Sequence, residues 1–106
     1  MDQSMLKVNA REACQAMHAF SRIFHIAQPR AWLCQGWYDW IAGKGLQSNR
    51  AWQKGLGLAG QLSMPYEQAC THHELGRHLK DVVEAKVHLQ KANDIYAELG
   101  ILVRVV

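Results

Sequence analysis

Hydrophobic residues recur at three- and four-residue steps along most of the chain, which is the spacing of one face of an α-helix. The most regular stripe, near the carboxyl end, consists of Val82, Ala85, Leu89, Ala92, Tyr96 and Leu99. A second stripe, near the amino end, consists of Ala13, Ala16, Met17, Phe20, Ile23, Phe24 and Ala27. The alternating β-branched pattern typical of strands occurs only in residues 101–106. The pattern therefore predicts an all-α protein.

Glycine, proline and capping residues divide the chain into five predicted helices. Pro29 and Pro65 suit a first helical turn, where no backbone N–H is required. Asp81, with Glu84 three residues later, suits an N-cap, and Gly100 suits the position after a helix. The predicted helices cover about residues 4–27, 29–42, 47–62, 65–79 and 82–99. Because the connections between them are short, we expect neighbouring helices to be antiparallel.

The periodicity also predicts which residues of the middle helices form the core. These are Leu33, Trp37, Trp40 and Ile41 in the second helix, Trp52, Leu56 and Ala59 in the third, and Tyr66, Ala69, Cys70, His73 and Gly76 in the fourth. Of the four tryptophans, Trp32 is then the one expected to be exposed.

An internal repeat links the second and third helices to the fourth and fifth. The segment Trp52–Gly55 aligns with Leu89–Ala92 at a shift of 37 residues, and Gly36 aligns with Gly76 at a shift of 40. Glycine inside a helix costs about 1 kcal/mol relative to alanine. We therefore expect a neighbouring helix to approach closely at both glycines. The small residues that end the two aligned segments, Gly55 and Ala92, would lie on these neighbouring helices. The repeat predicts two helical hairpins.

Residues 30–100 resemble a degenerate tetratricopeptide repeat array. The likeness is carried by the segment from Met64-Pro65-Tyr66-Glu67 to His73-Glu74-Leu75-Gly76-Arg77-His78-Leu79, and by His88–Ala92 and Ile95–Gly100. It is similar to the repeats at the carboxyl end of bacterial class III nucleotide cyclases and of large ATPase-type transcription regulators. The resemblance implies an α-α superhelix that binds a partner protein or peptide without catalysing a reaction.

In such arrays the first helix of each pair lines a binding groove. The resemblance places there Trp32, Cys34, Gln35, Tyr38, Asp39, Thr71, Glu74, Arg77 and His78. Because no linker or low-complexity stretch interrupts the sequence, we expect a single domain over residues 1–106, with an amino-terminal helix in 1–28, hairpins in 29–63 and 64–100, and an apolar tail in 101–106. The alternative is a structural or dimerising segment of a larger signalling protein, with the first helix and the tail as the interface.

Composition excludes several other classes of function. The chain has 106 residues, of which 49% are hydrophobic and 20% charged, as expected for one soluble globular domain. A net charge of +3 without a run of basic residues argues against nucleic-acid binding. No apolar run is long enough to span a membrane, and no secretory signal is present. Three cysteines without a Cys-x-x-Cys pair predict reduced thiols in a cytoplasmic protein.

Catalytic and cofactor chemistry finds little support in the sequence. There is no nucleophile elbow or phosphate-binding glycine loop, so we expect neither an enzyme nor a cofactor. Cys70, Glu74 and His78 share a face of the fourth helix and form an alternative metal or small-molecule site. However, His73 and His78 are one residue further apart than in the zinc motif His-Glu-x-x-His. The sequence favours a solvated helix face there.

Overall fold

The computed structural model describes the backbone of residues 3–100 and the side chains of residues 8–100. This part of the chain contains five α-helices, one 3-10 turn and no strand. They are α1 (Gln3–Ile23), the 3-10 turn (His25–Ala27), α2 (Gln28–Ile41), α3 (Gly45–Gln61), α4 (Pro65–His78) and α5 (Val82–Glu98). The predicted all-α class is confirmed for these residues, and the predicted apolar tail 101–106 lies outside them.

The first helix is shorter than predicted. The backbone becomes extended at Phe24, with φ −116° and ψ 99°, before the 3-10 turn begins. Pro29 explains the break, because its ring would collide with the carbonyl group of His25 in a continuous helix and it has no N–H to donate. Instead, Pro29 lies in the first turn of α2, where these constraints have no cost.

The predicted cap of α5 is confirmed. The carboxylate of Asp81 accepts hydrogen bonds from the backbone N–H groups of Val83 at 2.9 Å and Glu84 at 3.2 Å. At the other end of α5, Gly100 has a φ of +71°, a left-handed conformation that glycine adopts without strain.

Helices α2 and α3 end in the same type of loop but use different residues to make it. After α2, Gly43 has a φ of +79°, and the N–H of Lys44 donates to the carbonyl group of Asp39 at 2.8 Å. After α3, Ser63 has a φ of +51°, and the N–H of Met64 donates to Ala59 at 2.9 Å. Among the residues that the structure describes, Ser63 is the one non-glycine residue in the left-handed conformation. This conformation carries an energetic cost for any residue except glycine.

Consecutive helices pack against each other along the chain. The most extensive contacts join α2 with α3 and α4 with α5, followed by α1 with α2 and α3 with α4. Helix α2 touches α4 only slightly.

None of the five helices, over the residues described, combines the length and hydropathy needed to cross a bilayer.

The centre of the core is formed by three fully buried side chains, Leu33, Trp52 and Leu75, one from each of α2, α3 and α4. The indole Nε1–H of Trp52 donates to the carbonyl oxygen of Leu33 at 3.2 Å, so its polar atom is satisfied inside the core. Nearby, the Ser48 hydroxyl donates to the carbonyl oxygen of Gly36 at 2.7 Å. These two bonds tie α3 to the backbone of α2.

The repeated glycines lie where helices approach closely. A Cβ atom at Gly36 would overlap the indole ring of Trp52, and one at Gly76 would lie 2.5 Å from Cγ of Leu89. The pair of a glycine and a large side chain thus occurs in both helix pairs, at positions that the internal repeat aligns. Gly55 faces Trp32 instead, with 3.1 Å between the two Cβ positions, and Ala92 is fully buried.

Several core expectations are wrong. Trp37 and Trp40 are 38% and 44% exposed, whereas Trp32 is half-buried. The buried face of α2 is centred on Leu33 and Gly36; Trp37 lies about 100° from Gly36 around the helix, and Trp40 lies in the last turn. The remaining exposed residues of the predicted stripes in the last two helices are Tyr66, Val82 and Leu99. The ends of α5 are exposed because it has 17 residues and its neighbour α4 has 14.

Replacing Ser63 by glycine should stabilise the protein. Glycine adopts the left-handed conformation without strain, so we expect Ser63→Gly to raise the free energy of unfolding by about 0.5–1 kcal/mol. The matched variant is Gly43→Ser, which should lower it by a similar amount, since no atom lies within 4 Å of a Cβ placed there. Urea denaturation measures both, and a destabilised Ser63→Gly variant would contradict the prediction.

Replacing Gly36 by alanine should be strongly destabilising. The new methyl group would occupy the volume of the Trp52 indole, and overpacking of this kind costs about 3 kcal/mol. The control is Gly57→Ala in α3, where a Cβ meets nothing within 4 Å and the better helix propensity should add about 0.5–1 kcal/mol. Thermal unfolding should show opposite shifts for these two substitutions, and shifts of the same sign would disprove the close approach.

Candidate functional site

The face of α1 that packs on α2 is small and polar. Cys14 and Ser21 are buried there, and His18 is half-buried. The thiol of Cys14 donates to Oε1 of Gln35 at 2.9 Å, and Nε2 of His18 lies 3.1 Å from the same oxygen. Burial, followed by the nearby Cys34 and Asp39, raises the pKa of Cys14 to about 11, so the thiol keeps the proton that it donates.

The opposite face of α1, which continues into the 3-10 turn, is apolar and exposed. Its large side chains are 51% to 73% exposed, and they are Val8, Phe20, Ile23, Phe24 and Ile26. Ala13, Ala16 and Ala19 are exposed between them. The rings of Phe20 and Phe24 contact each other, with 4.7 Å between their centroids. We call these residues the outer face of α1.

An apolar stripe of this kind ordinarily faces the core of a globular protein, whereas here it is exposed. Of the predicted stripe, only Met17 and Ala27 are even partly buried. The reason lies in α2, which presents the amide of Gln35 to α1; Gln35 in turn donates to the carboxylate of Asp39 at 3.0 Å. The half-buried amide oxygen of Gln35 makes both contacts with the polar side of α1, which favours an orientation with that side inward.

The predicted groove residues do not form one open groove. Asp39, Thr71 and Glu74 are buried. The hydroxyl of Thr71 donates to the carbonyl oxygen of Glu67 at 2.8 Å, and a carboxylate oxygen of Glu67 lies 3.4 Å from Arg30 on α2. Packing of the helices therefore leaves little of these three side chains accessible to a partner.

The remaining groove residues separate into two depressions and an open edge. Trp32, Gln35 and the edge of Asp39 line a cleft of about 370 Å³ with Gln47, Arg50, Ala51 and Lys54 of α3. His78 lines a second depression of about 460 Å³ with Trp40, Gly45, Leu46, Asn49, Leu79, Lys80 and Asp81. Arg77 is exposed, whereas Cys34 and Tyr38 are half-buried. Burial raises the pKa of the Cys34 thiol.

Trp32 is the centre of the first cleft. The edge of its ring meets His18 of α1 at 5.0 Å between centroids, and Nζ of Lys54 lies 4.2 Å above the ring. The cleft therefore combines an aromatic floor with the two cations Arg50 and Lys54, one turn apart on α3. This arrangement suits an acidic group with an apolar neighbour.

The suggested metal ligands are not brought together. Nδ1 of His78 lies 2.9 Å from the carbonyl oxygen of Glu74 and 3.6 Å from its carboxylate, whereas Cys70 accepts a hydrogen bond from the Tyr96 hydroxyl at 3.4 Å. Among the side chains of residues 8–100, no three His, Cys, Asp or Glu residues are placed to hold a metal ion.

A histidine pair, which the sequence pattern does not predict, joins α4 to α5. The Nδ1 atoms of His72 and His88 lie 2.8 Å apart, so at least one of the two rings is neutral. Burial, followed by the charges of His88 and Lys91, lowers the pKa of His72 to about 4. The internal repeat contains a signal for this pair, because it aligns His72 with Trp32 and His88 with Ala51. Trp32 and Ala51 lie close to each other, since both line the first cleft.

The histidine pair should make stability depend on pH. The pKa of His72 is 6.5 in the unfolded chain and about 4 in the folded protein. The unfolded state therefore binds the proton more readily, and the free energy of unfolding should fall as the pH is lowered from 6.5 to about 4. The substitution His72→Gln should make the fall shallower, and His25→Gln, on the exposed 3-10 turn, is the control. Urea midpoints from pH 7 to pH 5 measure the effect, and equal slopes for His72→Gln and the wild type would exclude it.

Comparisons with known proteins do not extend this description. No protein-family model matches the chain, and no curated protein or solved structure shows a significant match to it.

Proposed function

We propose that the chain is a non-catalytic interaction module, a short tetratricopeptide-like array of helical hairpins, that binds a partner protein. The observation that carries the proposal is the outer face of α1, where Phe20, Ile23, Phe24 and Ile26 are each more than half exposed. Contiguous apolar surface of this kind is rare on monomeric proteins and is typical of sites where another protein binds.

Two observations support the array. Contacts are most extensive within the helix pairs α2–α3 and α4–α5, and weaker between the pairs, as expected when hairpins stack. The same combination of a glycine and a large side chain occurs in both pairs, Gly36 with Trp52 and Gly76 with Leu89. In this arrangement α1 takes the place of the second helix of a preceding hairpin.

The position of α1 explains why its outer face needs a partner. Each hairpin of an array buries its apolar surface against its neighbours, so an apolar helix face that no described residue covers is a surface on which a further element or a partner can pack. Helix α1 has such an apolar face. Its inward side carries the buried Cys14 and Ser21 and the half-buried His18, and its phenylalanine and isoleucine side chains are exposed. We therefore place partner binding on this face.

The cleft between α2 and α3 is a second candidate, for an acidic peptide. Among residues 8–100, neither Arg50 nor Lys54 lies within 4 Å of a carboxylate oxygen, and both line the cleft beside Trp32. Of the groove residues that the family resemblance implies, Arg77 is exposed and Tyr38 is half-buried, so both can contact a partner.

The double substitution Phe20→Ser/Ile23→Asp should abolish partner binding without unfolding the protein. Both side chains project into solvent, so we expect the thermal midpoint to stay within a few degrees of the wild type. Binding is measured by quantitative affinity capture of interacting proteins from a cell extract. Proteins that bind through the outer face should be retained at least tenfold less by the variant.

Three further variants separate the candidate surfaces. Val83→Asp removes an exposed apolar side chain at the opposite end of the array and controls for general stickiness. Tyr38→Ala/Arg77→Ala tests the groove, and Arg50→Glu/Lys54→Glu tests the cleft. Loss of binding in either of these two variants, with binding retained by Phe20→Ser/Ile23→Asp, would move the site away from α1. An equal loss with Val83→Asp would remove the evidence for a specific site.

A further inference from the structure

We infer that the outer face of α1 binds α1 of a second copy of this chain, in an antiparallel arrangement about a two-fold axis near Ala16. This inference rests on the proposed function, because it names the occupant of the surface described there. It goes beyond that function in specifying the partner, the orientation and the register.

The exposed face of α1 has large apolar residues at both ends and alanines near its centre. Its central stripe runs through Val8, Glu12, Ala16, Ala19 and Ile23, at steps of four, four, three and four, and all five are exposed. Two antiparallel copies with the two-fold axis midway between residues 15 and 16 place Val8 of each opposite Ile23 of the other. The alanines near the crossing point allow the two backbones to approach to about 8 Å, and the larger side chains fill the space on either side.

The charges on α1 favour the antiparallel orientation. Glu12 is the only charged residue of the central stripe, and a parallel arrangement would place it opposite its own copy. In the antiparallel arrangement Glu12 lies level with positions 19 and 20 of the other helix. Arg22 of that helix is then two to three residues away, or about 4 Å along the axis, which is within reach of its long side chain.

Neither of these two charges has an ion-pair partner among the side chains that the structure describes. Among residues 8–100, no ion pair is formed by Glu12 or Arg22, although both are exposed on α1. A two-fold axis brings Glu12 of each copy to Arg22 of the other, so a single geometric arrangement makes both pairs. Charges of this kind contribute little affinity but specify orientation and register.

The size of the surface predicts a weak dimer. From Val8 to Ile23 the face is about 22 Å long and one helix wide, which is at the low end of specific protein interfaces. Phe24 and the 3-10 turn add apolar area beside it. We therefore expect a dimer that dissociates on dilution, which a concentration series can measure.

The first experiment is a charge swap, measured by sedimentation equilibrium over a wide concentration range. We expect Glu12→Arg and Arg22→Glu each to raise the dimer dissociation constant about tenfold, because each places like charges together twice in the dimer. The double variant Glu12→Arg/Arg22→Glu exchanges the charges and should return the constant to within about twofold of the wild type. Circular dichroism should show that all three variants are folded, since both positions are exposed.

The second experiment tests the register by oxidative cross-linking. Ala16→Cys places two thiols near the two-fold axis, so a mild thiol oxidant should produce a disulfide-linked dimer. Val8→Cys is the matched control, because the two copies of residue 8 would lie about 22 Å apart. The wild-type protein, in which Cys14 is buried, gives the background from its native thiols.

Each outcome decides the inference separately from the proposed function. A monomer at every concentration, or a dimer in which the double charge variant stays as weak as the single ones, would overturn it. Cross-linking of Val8→Cys as efficient as that of Ala16→Cys would also overturn it. If the protein is monomeric but Phe20→Ser/Ile23→Asp still loses its captured partners, the proposed function stands and the occupant is a different protein.

Discussion

The fit of Trp52 against Gly36 is the constraint on which the rest of the structure depends. The indole is fully buried where α2, α3 and α4 meet, and it occupies the space that a side chain at position 36 would need. Its Nε1–H bonds the carbonyl oxygen of Leu33, and its ring packs against His78, with 5.0 Å between centroids. One side chain thereby fixes the distance between α2 and α3 and supplies the surface on which α4 packs.

A second constraint, polar rather than apolar, determines what the molecule exposes. Gln35 lies on the side of α2 that faces α1. Its amide oxygen accepts a hydrogen bond from the thiol of Cys14 and lies within hydrogen-bond distance of Nε2 of His18. These contacts on the half-buried amide favour an orientation of α1 with its polar side inward, and its phenylalanine and isoleucine side chains are then exposed. One hydrogen-bonded glutamine thus contributes to the exposure of the main candidate surface.

Much of the fold could be predicted from the sequence because its signals are local. Helix boundaries follow from Pro29, Pro65 and the Asp81 cap, and glycine pairs recurring at a fixed spacing indicate where helices approach closely. The rotation of α1 could not be predicted, because periodicity identifies an apolar stripe but not the chemistry of the helix that faces it. The same limit explains the candidate groove: Thr71 and Glu74 are buried by contacts between helices that no single helix encodes.

The two ends of the helix series differ in a way that concentrates function at α1. On α5 the exposed valines Val82, Val83 and Val87 are interrupted by the exposed charges of Glu84 and Lys86, which keep that end hydrated. On α1 the exposed apolar residues surround Glu12, with Arg11 and Arg22 also exposed on the helix, and two of its aromatic rings are in contact with each other. Solvent tolerates the first surface at little cost, whereas covering the second removes a contiguous apolar area from water. Within the described residues, a partner that covers the outer face of α1 therefore gains more free energy than one that covers the exposed valines of α5.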